Sequence, residues 1–288
     1  MEDLFIRTRD REPCMQQNEH NGVVYLSFPI LEQMPYIKHG FSTRIGGVSE
    51  GVFAQMNLSF QRGDNKESVA ENYRRFARAL RVDPEDIVCS AQTHTANIRL
   101  VTEQDRGKGY VRPLDYQAVD ALITNQPGIA LMTFYADCVP VYLVDPLERA
   151  IGLCHSGWRG TVEKISQKTI QEMNRQFGSR PENIVAAIGP SICKNCYEVS
   201  KDVIDSFSMV MKSEHIHKIA EQKNNGKYSL DLWKANQIIL EESGVLPSNI
   251  QVTDICTCCN STVLFSHRAS QGKRGNLAAL LSLTEAFD

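Results

Sequence analysis

A chain of 288 residues, at ~150 residues per domain, allows one large domain or two small ones and is long enough for a real core. Apolar residues make up 42% and charged residues 23%, which excludes a disordered chain, a coiled coil or a collagen-like repeat. With 31 Lys and Arg against 34 Asp and Glu, the net charge of −3 gives no electrostatic reason to expect nucleic acid or an anionic membrane as partner.

Residues 1–21 are polar and read as a loose lead-in, and 22–288 read as a single domain that carries the candidate catalytic residues. The opening Met1-Glu2-Asp3-Leu4-Phe5-Ile6-Arg7 has two early acids and no apolar run, so no secretory signal is expected. Strands are predicted over 23–28, 37–42, 87–91, 121–124, 129–136, 139–144, 151–155, 184–188, 250–255 and 263–265, short runs rich in β-branched residues. A helix is predicted over 66–80, where Val69, Tyr73, Phe76 and Leu80 share a face and Asp64 can cap the start. A second, over 158–177, aligns Trp158, Val162, Ile165, Ile170, Met173 and Phe177 and stops at Gly178. A third runs over 232–242 and stops at Gly244, while 105–115 and 224–227 read as surface loops.

The runs within 128–155 leave no room for intervening helices and are expected to be consecutive antiparallel strands of a mixed sheet. The fold class is therefore α+β, a single domain of layered, mixed and largely antiparallel sheets flanked by helices. The longest apolar stretch, 128–136, is about half of what a bilayer helix requires. Nine cysteines, an odd number, point to reduced thiols and a cytoplasmic protein.

Seven histidines can be weighed one by one. His20, His215 and His217 lie in polar segments and read as solvated; His39 and His267 adjoin strand-like runs and read as structural. His94 closes Cys89-Ser90-Ala91-Gln92-Thr93-His94 at a strand end, and His155 stands where a strand turns into Ser156-Gly157-Trp158-Arg159-Gly160. Cys138, in Tyr135-Ala136-Asp137-Cys138-Val139-Pro140, has the same placement. Strand ends present side chains on fixed backbone, and two imidazoles with one thiol are the three ligands of a catalytic zinc with an open fourth position, whose bound water ionises at a pKa of roughly 7. A buried thiol with two hydrogen-bonded histidines is the competing reading, and spacing does not separate the two.

Cys193-Lys194-Asn195-Cys196 is a C-x-x-C, with Cys256-Thr257-Cys258-Cys259 further on; together they could make a structural zinc site, although two C-x-x-C halves would point there more strongly. Phe41-Ser42-Thr43-Arg44-Ile45-Gly46-Gly47-Val48-Ser49 sets an Arg before paired glycines, an arrangement suited to an anion.

Taken in order, Phe41 to Ser49, Gln92-Thr93-His94, Ala136-Asp137-Cys138-Val139-Pro140, His155-Ser156-Gly157-Trp158-Arg159-Gly160, Ile188-Gly189-Pro190, Cys196-Tyr197-Glu198-Val199 and Asp254-Ile255-Cys256-Thr257 resemble the YfiH/YlmD family, formerly the laccase-domain or multicopper polyphenol oxidase family. The resemblance spans roughly 38–268. It implies a layered fold distantly similar to the catalytic domain of cytotoxic necrotising factor toxins. It also implies a zinc-dependent purine nucleoside phosphorylase that cleaves adenosine, inosine, guanosine and methylthioadenosine with phosphate, together with adenosine deaminase activity. By that resemblance the zinc ligands are His94, Cys138 and His155, copper being a metal such a set can also take in vitro, and Arg44 is expected to bind phosphate. Deamination at the purine C6 needs a carboxylate to move protons, for which Asp137 and Glu198 are the candidates. Phe265-Ser266-His267-Arg268 followed by Gly272-Lys273-Arg274-Gly275 departs from the family's usual tail. Oligomeric state stays open, a homodimer included.

Three other functions fit parts of the pattern. A cysteine hydrolase would use Cys138 as nucleophile and His155 as base. A phenol oxidase would need copper, and a non-enzymatic zinc or redox sensor would use Cys193, Cys196 and the Cys256 cluster.

Overall fold

Fifteen strands in three sheets organise the computed structural model, which describes residues 3–8 and 13–284. In chain order the first eight strands are β1 (Gln16–His20), β2 (Val23–Ser27), β3 (Ile37–Ser42), β4 (Ile87–Cys89), β5 (Ile98–Leu100), β6 (Ala121–Thr124), β7 (Ala130–Tyr135) and β8 (Val139–Asp145). They are followed by β9 (Ala150–Ser156), β10 (Val185–Ile188), β11 (Glu198–Val199), β12 (Ala220–Gln222), β13 (Tyr228–Leu230), β14 (Ile250–Val252) and β15 (Leu277–Leu283). The helices are α1 (Pro29–Glu32), α2 (Lys66–Ala79), α3 (Trp158–Val162), α4 (Ile165–Phe177), α5 (Lys201–Ser208), α6 (Ser213–Ile219), α7 (Leu232–Glu242) and α8 (His267–Ser270).

One six-stranded sheet runs β1-β2-β3-β15-β7-β4 and the other β14-β10-β8-β9-β6-β5, with a small third sheet β11-β13-β12. The two large sheets bury one face against each other: Leu131, Tyr135, Ala279 and Leu281 from the first meet Tyr142, Val144, Ile151 and Leu153 from the second. Because side chains alternate along a strand, Ala130, Met132 and Leu280 face the other way, onto Val69, Tyr73 and Phe76 of α2. Val141, Leu143 and Cys154 likewise pack under Ile170 and Met173 of α4 and Ile239 of α7. With both faces covered, β8, β9 and β15 are buried along their whole length, and so lack the polar alternation of a half-exposed strand.

The expected α+β class with layered, largely antiparallel sheets is the class observed; only β4–β7, β5–β6 and β10–β14 pair in parallel. Several elements differ from expectation, each for a local reason. The runs in 128–155 do not form one sheet: β7 pairs with β15, while β8 pairs with β9 and β10, so the chain changes sheets between Tyr135 and Val139. The helix expected over 158–177 breaks at Lys164, which adopts a left-handed conformation (φ 55°) between α3 and α4. Apolar spacing reports which side chains face the core, not whether the backbone between them is continuous.

Asn65, not Asp64, caps α2 by accepting from the Ser68 amide. Residues 263–265, expected to be a strand, sit in a turn after the cysteine-rich segment. Part of the lead-in is ordered by the domain. Gln16–His20 pairs with β2, and Arg7 donates to the fully buried Asp254 carboxylate at 2.6 Å. Residues 1–2 and 9–12 of the lead-in lie outside the described residues. His215, read as solvated, is largely covered, with Nδ1 3.4 Å from the Glu242 carboxylate. Among the described residues no helix is long and apolar enough to cross a membrane.

Candidate metal centre

His155 is the penultimate residue of β9, Cys138 immediately precedes β8 beside it, and His94 lies in the loop after β4. Val139 pairs with Ser156 and Pro140 with His155, so the β8–β9 ladder sets Cys138 next to His155. The three donor atoms lie within 4.8 Å of one another, with Cys138 Sγ 3.9 Å from His94 Nε2. His155 is buried and His94 exposed, so the group opens to solvent on one side. Two imidazoles and a thiol at this spacing suit a zinc or copper ion with one open position.

Two neighbours hold unusual backbone conformations. His94 has φ 66° and Asp137 has φ 89°, both left-handed and both adjacent to or within the group. The cause at His94 is Asp120, which precedes β6 and is wholly buried. Its carboxylate accepts from the Thr93, His94 and Thr95 amides at 3.0, 3.0 and 2.9 Å and from the Thr95 hydroxyl at 2.8 Å, wrapping the loop around one anion. It also accepts from His155 Nδ1 at 2.8 Å. That bond leaves the Nε2 lone pair of His155 for a metal, because a carboxylate accepting from the other ring nitrogen fixes the ligand's tautomer.

Burial alone would raise the Asp120 carboxyl, but the His155 bond and the loop amides outweigh it and hold it down at about 2. Burial would lower His155; the Cys138 thiolate and Asp120 together bring it up to about 9. Burial would raise Cys138, and the two histidines bring it down to about 6. The thiol is thus ready to act as thiolate near neutrality, the form that binds a metal.

Asp120 escaped the sequence reading, yet it had a signal: an acid flanked by Val119 and Ala121, directly before an apolar strand, must find donors if it is buried. Gly157 is the other close neighbour. A Cβ there would stand 3.0 Å from His94 Cδ2 and 3.1 Å from Cys138 Sγ, so space, not backbone conformation, demands glycine.

The remaining predicted site residues are placed differently. Arg44 lies over the Phe265 ring at 4.7 Å, and its Nε and Nη1 donate to the Ala54 and Ser261 carbonyls at 2.6 and 2.9 Å. It braces two loops, where a free phosphate fork was expected. Asp137 is next to Cys138 as expected, but its two carboxylate oxygens accept from the Thr257 hydroxyl and the Arg268 amide, each at 2.7 Å, which ties loops together and does not suit a proton shuttle. Glu198 is held by Lys223, Lys227 and Asn225, whose hydrogen bonds bring its carboxyl down to about 2, too acidic to carry protons near neutrality.

Arg274 emerges instead. Its guanidinium is largely buried and within electrostatic reach of Asp137 and Cys138; burial and the Arg62 charge bring it down to about 10. Nη2 lies 3.5 Å from His267 Nδ1, and Nε is buried without a hydrogen-bond partner. Crowded cations with an unsatisfied donor make a place for an anion.

The four cysteines Cys193, Cys196, Cys256 and Cys259 also gather, with all sulfurs within 4.8 Å of one another. Cys256 and Cys259 are themselves a C-x-x-C, which taking 256–259 as one cluster concealed.

The model of a family described as "Multi-copper polyphenol oxidoreductase laccase" matches residues 38–284. The chain is 35% identical over 250 residues to purine nucleoside phosphorylase YlmD of Bacillus subtilis, covering 86% of this chain and 88% of that protein. It is 34% identical over 248 residues to adenosine deaminase RL5 from an unknown prokaryotic organism, covering 83% and 93%. The crystal structure of YlmD from Geobacillus stearothermophilus superposes with a TM-score of 0.87 at 34% identity, covering 95% of this chain and all of that one.

Proposed function

The chain belongs to the multi-copper polyphenol oxidoreductase laccase family, and from that premise we propose that it is a zinc-dependent purine nucleoside phosphorylase that also deaminates adenosine. Its substrates are adenosine, inosine, guanosine and methylthioadenosine, cleaved by phosphate to base and ribose-1-phosphate. The observation that carries this reading is the His94, Cys138 and His155 group with Asp120 behind it. Zinc held there would supply a Lewis acid with one open position.

The chain's own groups divide the remaining work. Asp120 keeps Nδ1 of His155 protonated and the ring oriented, and Gly157 leaves room beside His94 and Cys138. Arg274 and His267 hold the phosphate, in place of Arg44. Binding a dianion satisfies the Arg274 Nε and relieves its repulsion with Arg62. Positioned there, phosphate attacks the ribose C1′ as the bond to the purine nitrogen breaks. The departing base needs a proton. Tyr197 is within electrostatic reach of Cys138, and burial pushes its phenol up, so its hydroxyl stays protonated and able to donate. In deamination, water adds at C6 and its proton passes to the amino nitrogen, which leaves as ammonia. The nine free thiols support a reducing compartment, the cytoplasm.

One other reading has an observation of its own. Cys138, His155 and Asp120 form a thiol, imidazole and carboxylate chain, the arrangement of a cysteine hydrolase. His94, a third ligand on the open side, favours the metal. Phenol oxidation by a multicopper centre has little to stand on: of seven histidines, only His94 and His155 fall in a metal-competent group among the described residues.

The test is product analysis. Metal-replete protein given adenosine should yield adenine and ribose-1-phosphate only when phosphate is present, and inosine with or without it. No conversion by zinc-loaded protein overturns the reading. Cys138→Ala should lose both metal and activity; activity at normal zinc content would sink the site assignment. A hydrolase would survive chelation and succumb to alkylation.

A further inference from the structure

We propose that Cys193, Cys196, Cys256 and Cys259 bind a second zinc ion, a closed four-thiolate site whose role is structural. The first pair lies in the loop between β10 and β11, and the second in the segment after β14. Each is a C-x-x-C folded into a tight turn, with the Cys196 amide bonded to the Cys193 carbonyl at 3.1 Å and the Asn260 amide to the Cys256 carbonyl at 3.2 Å. Two such turns facing each other, contributed by distant parts of the chain, are how structural zinc sites are built.

The geometry fits a tetrahedral ion. At a zinc–sulfur distance of about 2.3 Å, the edge of a tetrahedron of sulfurs is about 3.8 Å. Cys196 and Cys259 sulfurs lie 3.5 Å apart, near that edge and well beyond the ~2.05 Å of a disulfide. Backbone amides of Cys193 and Cys259 point at Cys256 Sγ from 3.3 and 3.5 Å, partly offsetting negative charge on a ligand sulfur. Four unpaired thiolates drawn this close would repel one another. A divalent cation removes that repulsion, and four sulfur ligands leave no position for substrate.

The site's consequence lies at Asp137. The Ile192 amide, next to Cys193, donates to the Asp137 carbonyl at 3.0 Å. The Thr257 hydroxyl, next to Cys256, donates to the Asp137 carboxylate at 2.7 Å. An ion joining the two C-x-x-C turns therefore clamps two of the three supports of the strained residue that precedes Cys138. This zinc is independent of the proposed phosphorylase reaction and is read out without it.

The experiment uses full-length protein, reduced and kept free of oxygen, loaded with Zn2+ or with Co2+ as spectroscopic probe. Wild type should bind two equivalents. His94→Ala/His155→Ala should keep one, with the intense visible bands and sulfur-to-cobalt charge transfer of tetrahedral thiolate coordination. Cys193→Ser/Cys259→Ser should lose one equivalent, while Cys258→Ser should lose none. A His94→Ala/His155→Ala protein that binds none overturns the proposal, as does a Cys193→Ser/Cys259→Ser protein that binds as much metal as wild type. Four thiols found oxidised as two disulfides after anaerobic unfolding would overturn it too. The histidine variant retains all the cysteines, so misfolding of the serine variant does not blunt the test.

Discussion

At the scale of single residues, the centre depends on what is absent as much as on what is present. Gly157 has an ordinary extended backbone (φ −68°, ψ 171°), so any residue could adopt it. The constraint is the 3.0 Å to His94 and 3.1 Å to Cys138 that a Cβ would leave. Gly157→Ala should therefore keep the fold and displace a ligand, at a strain of about 1–3 kcal/mol, or roughly tenfold or more in metal affinity. Competition with a chromophoric chelator measures it, and an unchanged affinity would show that the centre has slack. His94 and Cys138 were identifiable in the sequence because strand ends present chemistry-bearing side chains on fixed backbone. Gly157 is visible in the sequence only as part of the turn after His155, because sequence does not show what a missing Cβ would touch.

Elements supply the next level of control. The loop carrying His94 makes three of its amide bonds to a carboxylate 25 to 27 residues away, so its shape is decided by Asp120. Asp120→Asn replaces one oxygen by a donor; it must break amide contacts and weaken the His155 bond. Metal affinity should fall about 10–100-fold, the usual cost of losing a ligand's orienting partner. A calorimetric titration returning wild-type affinity would show that the loop holds itself. At this scale the sequence was partly legible. Runs rich in β-branched residues disclosed most strands, whereas β15, Leu-Ala-Ala-Leu-Leu-Ser-Leu, has no β-branched residue and an intrinsic leaning toward helix. It is a strand because β3 and β7 offer it hydrogen bonds on both sides. Helices α5 and α6 escaped for another reason: with 8 and 7 residues each, they give too few turns for a period to stand out.

For the whole molecule, the stacked sheets bury groups that then record pH. His39, on β3, lies between Phe28 and Tyr142, and its Nε2 accepts from the Phe28 amide at 2.8 Å. Burial keeps it neutral and brings it down from 6.5 to about 4. An unfolded chain takes up this proton below pH 6.5 while the native state does not. The stability contributed by the neutral ring is therefore complete above 6.5 and is lost as pH falls from 6.5 to 4. The loss amounts to about 3 kcal/mol at 1.36 kcal/mol per pH unit. Urea denaturation at pH 7 and at pH 4.5 should show a large difference, reduced in His39→Gln, where the side-chain oxygen can still accept from the amide. Equal pH dependence in the two proteins would place the acid sensitivity elsewhere.

What the sequence determined by itself was local or additive: the fold class from run lengths and spacing, the three metal-competent residues from their strand ends, and the family from seven ordered motifs. Tertiary structure alone decided the rest. It split the 128–155 strands between two sheets, because each needs a hydrogen-bonded neighbour that only the assembled layers provide. It turned Arg44, Asp137 and Glu198 into braces, since a charged side chain satisfies the nearest partners the fold brings it. It also recruited Asp120 and Arg274 to the centre and drew four cysteines, two of them near residue 195 and two near 258, to one point in space. Such convergence is set by packing across the whole chain, and no window of sequence contains it.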